Sequence, residues 1–132
     1  AGCMRTTTAI SAYRATFAQG LLEAMTQLAT DAEAVLLVGY DTTASGLLST
    51  VTRSDGLLGG ALVLTRDGQG PRLSASLHEG DAGAANGALS LQLHANAMAP
   101  MLPLFDALAT DAAACALFAG PGRQFVLDIV RG

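Results

Sequence analysis

Two cysteines, two histidines and a handful of hydroxyls are the groups in this 132-residue chain that could act as nucleophile, base or ligand. Cys3 and Cys115 stand far apart with no CxxC spacing, the usage of reduced thiols in a cytoplasmic protein. His78 and His94 have Glu79 and Asp81 nearby, but that spacing is not a zinc-ligand pattern, so no metal is expected. The glycine-bearing run "SGLLSTVTRSDG" contains neither GxGxxG nor GK[ST], and no nucleotide or other cofactor is expected from it. Asp41 ends an apolar run, where α/β proteins often place functional groups; its side chain could equally cap the following turn.

The stretch "ISAYRATFAQGLLEA", residues 10–24, poses a sharper question. It reads as a strand turning abruptly into a helix, a place where a nucleophile is presented outward at a helix N-terminus. The tip carries Tyr13, Arg14, Ala15 and Thr16. A helix N-terminus holds about half a positive charge, so Arg14 there costs a few tenths to about 1 kcal/mol. A carboxylate, a phosphate or an acidic partner residue is expected to offset it. Ser11 and Thr16 flank the turn, and both read as caps, since nothing places a base beside either.

These groups must be positioned by the following elements. "TTTAIS", Thr6 to Ser11, favours strand through its β-branched content. A helix follows to about Thr30, with Phe17, Leu21, Leu22, Met25 and Leu28 predicted on its buried stripe. "AVLLVGYD", residues 34–41, suits a strand covered on both faces in a central parallel sheet. Residues 42–59 read as an excursion, and "GALVLTR" as a second buried strand. "RLSASLH" and "ALSLQLHA" alternate apolar with polar and predict half-exposed antiparallel strands, on which His78 and His94 could approach one another. A helix from Pro100 to about Phe118 would carry Leu104, Leu108, Ala112, Cys115 and Ala116 on one stripe. "RQFVLDIVR" is the final strand. No repeat or linker divides the chain, so residues 1–132 read as one domain of α/β or α+β class with a mixed sheet.

Hydrophobic residues make up 51% of the chain and charged ones 14%, a balance that predicts a real core and burial against a partner. Net charge is −4, all seven cations are arginine, and no basic cluster exists, which argues against nucleic acid as a partner. No apolar run approaches the roughly 18 residues of a spanning helix. No signal-peptide pattern is visible at the start, and the chain reads as cytoplasmic.

Over "TTTAISAYRATFAQGLLEAMTQLATDAEAVLLVGYD" the chain resembles the β-ketoacyl synthases of the thiolase fold. In that family a strand ends in a turn bearing the catalytic cysteine, a buried helix follows, and then a strand with an acidic end. "RQFVLDI" resembles the closing strand of a divergent branch that includes chain-length-factor-like subunits of aryl polyene and polyketide-type synthesis. The resemblance implies a thiolase-like α/β domain, or part of its N-terminal half. It puts the family's cysteine position on Arg14, with no cysteine within ten residues, and supplies no histidine-bearing C-terminal half. It therefore implies a catalytically inactive protein, a structural or chain-length-determining partner of a ketosynthase in fatty-acid or polyketide-type synthesis. No residue is assigned as catalytic; Tyr13, Arg14 and Phe17 are the expected binding residues, with Tyr13 a candidate plug for the acyl channel. Thr6, Thr7, Thr8, Ala9, Ile10 and Ser11 would pair across a two-fold axis, with the ketosynthase subunit or a second copy as partner. Acyl carrier protein is a further candidate partner. The alternatives are an acyltransferase completed by missing segments or another chain, and a stand-alone binding module.

Overall fold

The computed structural model describes residues 4–132. A 3-10 turn, Tyr13–Ala15, leads into helix α1, Thr16–Thr30, and strand β1, Ala34–Asp41. The excursion that follows holds one short helix, α2 (Leu48–Val51), before strand β2 (Leu58–Thr65). Strand β3 (Arg72–Glu79), helix α3 (Ala88–Gln92), a second 3-10 turn (Ala99–Met101) leading into helix α4 (Leu102–Ala109), and strands β4 (Ala114–Gly120) and β5 (Arg123–Val130) complete the described chain. Among the described residues no helix is long and apolar enough to cross a membrane.

The strands form two antiparallel sheets, a β1–β2 ribbon and a three-stranded sheet ordered β3-β5-β4. Helix α1 packs on β1, β2 and β4, and so bridges the two. Its buried face is Phe17, Ala18, Gly20, Leu21, Ala24 and Leu28, while Met25 is half-buried and Leu22 is exposed. Small residues therefore carry half of that face and allow close approach to the sheets. Leu21 and Leu104 join Leu117, Phe125 and Leu127 in the common core.

β1 forms where its apolar run predicts, but its partner β2 runs antiparallel and only one face is covered. Val35, Leu37 and Gly39 point inward, and Leu36, Val38 and Tyr40 lie in solvent on the other side. The run is apolar on both faces, yet helices cover only one of them. The cross-strand pair Gly39 and Gly60 lies beneath Phe17, Met101 and Phe105. A Cβ at Gly39 would stand 2.9 Å from the Phe17 ring, and one at Gly60 would stand 2.8 Å from the Phe105 ring.

Thr6 to Ser11, expected to pair with another chain, is largely exposed and pairs with no described strand of its own. Three further sequence expectations are corrected. Leu22, expected on the buried stripe of α1, is exposed. "ALSLQLHA" begins as helix α3, not as a strand. The helix expected to reach Phe118 stops at Ala109, and Ala112, Cys115 and Ala116 lie beyond it, the last two on β4. Asp111 takes a left-handed φ of 56°, and the Ala112 N–H bonds the Ala107 carbonyl at 3.1 Å, a Schellman-type end. The Arg131 guanidinium then donates to the Ala107 and Ala112 carbonyls at 3.0 and 2.7 Å and pairs with Asp111 at 3.2 Å.

Candidate functional site

The turn before α1 is built by local hydrogen bonds. The Ala15 N–H donates to the Ala12 carbonyl at 3.0 Å. The Thr16 hydroxyl accepts from the Ala12 N–H at 3.0 Å and donates to the Tyr13 carbonyl at 2.5 Å. Thr16 thus closes the turn, but no side chain caps α1 itself. Tyr13 occupies the left-handed region, φ 56°, costing about 1–2 kcal/mol for a side chain of its size. Its hydroxyl reaches across to the excursion and donates to the Val51 carbonyl at 3.2 Å.

Arg14 is exposed at the tip, and its guanidinium stands 5.3 Å from the centroid of the Phe118 ring on β4. No carboxylate among the described residues pairs with it: the ion pairs there are Arg53–Asp55 and Arg131–Asp111. An aromatic face supplies the offset, worth about 0.5–1 kcal/mol for an exposed pair. Phe17, the third expected binding residue, is buried in the core with its ring centroid 6.0 Å from that of Phe105. It also lines the open trough, about 2220 Å³, that borders Tyr13, Arg14 and Ser11. Ser11 makes no side-chain hydrogen bond among the described residues, and Thr6 to Ser11 line the same trough.

The histidines do not converge. His78 sits on the exposed side of β3 with its Nε2 2.8 Å from the Ser76 hydroxyl. His94 follows α3, donates from Nδ1 to the Leu91 carbonyl at 2.9 Å, and lines the trough with Arg14. Cys115 is half-buried on β4, where desolvation pushes its thiol up to about 11 and keeps it protonated near neutrality. Cys3 lies outside the described residues. Among the described residues no three of His, Cys, Asp and Glu are grouped to hold a metal.

A polar clasp that the sequence did not announce ties the end of β1 and the excursion to the loop after α3. Asn96 is buried, and its Nδ2 donates to the Gly56 and Asp55 carbonyls at 3.0 and 3.2 Å. The buried Ser54 hydroxyl donates to the Asp41 carboxylate at 2.9 Å and accepts from the Ala97 N–H at 3.0 Å. Asp41 is therefore tied into the excursion through Ser54. Only burial marks Asn96 and Ser54 out; "HANAM" and "RSDG" read as ordinary loop residues.

An outward turn feeding a buried helix, then an antiparallel strand pair with an acidic end, defines a mixed α/β domain of partial thiolase-like form. The finer assignment comes from the chain as a whole. Residues 2–123 match the family model described as beta-ketoacyl synthase, N-terminal domain, and the chain belongs to that family. No curated protein and no solved structure matches it.

Proposed function

We propose that the chain is a catalytically inactive β-ketoacyl synthase-like subunit, a structural or chain-length-determining partner of a ketosynthase in fatty-acid or polyketide-type synthesis. The observation that carries this reading is Arg14 at the tip of the turn, stacked on Phe118. Condensation by this family proceeds through a thiolate at such a tip, which a helix N-terminus favours. A guanidinium stays charged and cannot attack a thioester. Cys115 lies on β4 with its thiol protonated and does not stand in. On this reading the partner contact is Thr6 to Ser11, a segment that is largely exposed and β-branched, with acyl carrier protein a further candidate near Tyr13 and Arg14.

The test is incubation with a radiolabelled acyl thioester and peptide mapping by mass spectrometry. No adduct is expected over residues 11–17, and one on Ser11, Tyr13 or Thr16 overturns the inactive reading. A proline at Thr8 removes a backbone donor and is expected to weaken association with the ketosynthase subunit.

A further inference from the structure

The sequence holds two asparagines, Asn86 and Asn96, and the fold treats them oppositely. Asn96 is buried, its Nδ2 donates to the Gly56 and Asp55 carbonyls, and the next N–H, that of Ala97, donates to the Ser54 hydroxyl. Asn86 is exposed in the irregular segment 80–87 that joins β3 to α3. Its side chain enters no hydrogen bond among the described residues, and neither does the N–H of Gly87 that follows it. An asparagine carboxamide and the next backbone nitrogen can close a five-membered ring. Hydrogen bonds to either group, or a side chain on the following residue, slow that closure, and Asn86 has neither restraint. The glycine is not free to change, because a Cβ at residue 87 would fall 2.2 Å from the Asp106 carboxyl carbon. That carboxylate, on α4, accepts from the Leu89 and Ser90 N–H groups at the start of α3. The cap thus demands glycine at the place where glycine leaves the preceding asparagine open to attack.

We propose that Asn86 is a site of spontaneous deamidation, a covalent change that alters the junction of α3 and α4. The Gly87 nitrogen attacks the Asn86 Cγ and loses its proton; the carboxamide nitrogen takes up a proton and leaves as ammonia, giving a succinimide. Water then opens the ring at either carbonyl and yields aspartate or isoaspartate, so one water is consumed and one ammonia released overall. Both products place a new carboxylate one residue before Gly87, at the end of α3 where the Asp106 carboxylate already sits, and like charges oppose each other there. Isoaspartate also inserts a methylene into the main chain directly before the residue that packs on Asp106. The site is therefore positioned to loosen the contact between α3 and α4 as the protein ages. Every group involved lies between residues 86 and 106, and the turn at Arg14 plays no part in it.

The test is to hold the folded chain in mildly alkaline buffer at physiological temperature, sample it over weeks, and map digests by mass spectrometry, with isoaspartate counted by enzymatic methylation. The mass gain of deamidation is expected on the peptide containing Asn86 at least tenfold faster than on the one containing Asn96, with isoaspartate the larger product. The aged protein should unfold at lower urea than the fresh protein. Asn86→Gln, whose longer side chain closes a ring far more slowly, should abolish both changes. Several outcomes overturn the proposal: an Asn86 still intact when a synthetic peptide spanning residues 82–91 has been converted, equal modification of Asn96, or a urea midpoint that stays put on ageing or falls equally in Asn86→Gln.

Discussion

A side chain at residue 87 would collide with Asp106: a Cβ built on Gly87 falls 2.2 Å from the Asp106 carboxyl carbon. Gly87 is the residue before α3 and brings no capping group of its own. Asp106, from α4, provides the cap instead, accepting from the Leu89 and Ser90 N–H groups at 2.8 and 3.0 Å and from the Ser90 hydroxyl at 2.7 Å. Asp106→Ala should cost about 2–3 kcal/mol, the scale of hydrogen bonds to a buried charge. Gly87→Ala should be similarly damaging by displacing the same carboxylate. Urea unfolding measures both, and a loss under about 0.5 kcal/mol for Asp106→Ala removes the cap from the account.

The same group sets an acid limit. Burial pushes the Asp106 carboxyl up, but the hydrogen bonds from Ser90 and Leu89 outweigh it and hold the group below its ordinary 3.8. Its pKa is lower folded than unfolded, so its contribution is fully present above 3.8 and is lost as pH falls through the folded value. Stability should drop more steeply with acid below pH 4 in the wild type than in Asp106→Asn. Parallel acid slopes in the two proteins would count against it.

The two neighbouring leucines of α1 separate cleanly. Leu21 is fully buried and Leu22 is 44% exposed. Leu21→Ala should cost about 2–5 kcal/mol, and Leu22→Ala should stay under about 1 kcal/mol. Thermal or urea denaturation of the pair distinguishes them, and equal losses would mean that α1 is rotated from the face described.

Arg14 and Phe118 should couple. A double-mutant cycle with Arg14→Ala and Phe118→Leu is expected to return about 0.5–1 kcal/mol of interaction at low salt. A coupling near zero would leave the charge at the helix N-terminus without its offset.

Much of the frame is legible in the sequence because periodicity reports directly on one-sided burial. α1, β1, β2, β3 and β5 lie where alternation or helical spacing puts them. The failures are tertiary. "ALSLQLHA" alternates like a strand, but a carboxylate sixteen residues away caps it as a helix. The α4 stripe continues in apolar type through Cys115, and only the left-handed Asp111, held by Arg131, cuts the helix short. β1 looks covered on both faces because composition records apolarity and not the number of layers available. At the turn, the tip at Tyr13 to Thr16 is readable and the cation there is plain. Its aromatic partner is not, because Phe118 lies more than a hundred residues along the chain.

The strand order of the second sheet has a consequence for biosynthesis. β3 and β4 never touch each other through hydrogen bonds; each is joined only to β5, which is made after both. β3 leaves the ribosome about 50 residues ahead of its sole partner, a delay of roughly 3–10 s at ordinary translation rates. For that interval β3, which has an apolar face, has no mate in its own chain, whereas β4 starts only nine residues before β5. The first ribbon closes sooner, since β2 starts 24 residues after β1 with only the excursion and α2 between them. The nascent chain is therefore half organised and half adhesive, and the vulnerable half is the one that β5 completes.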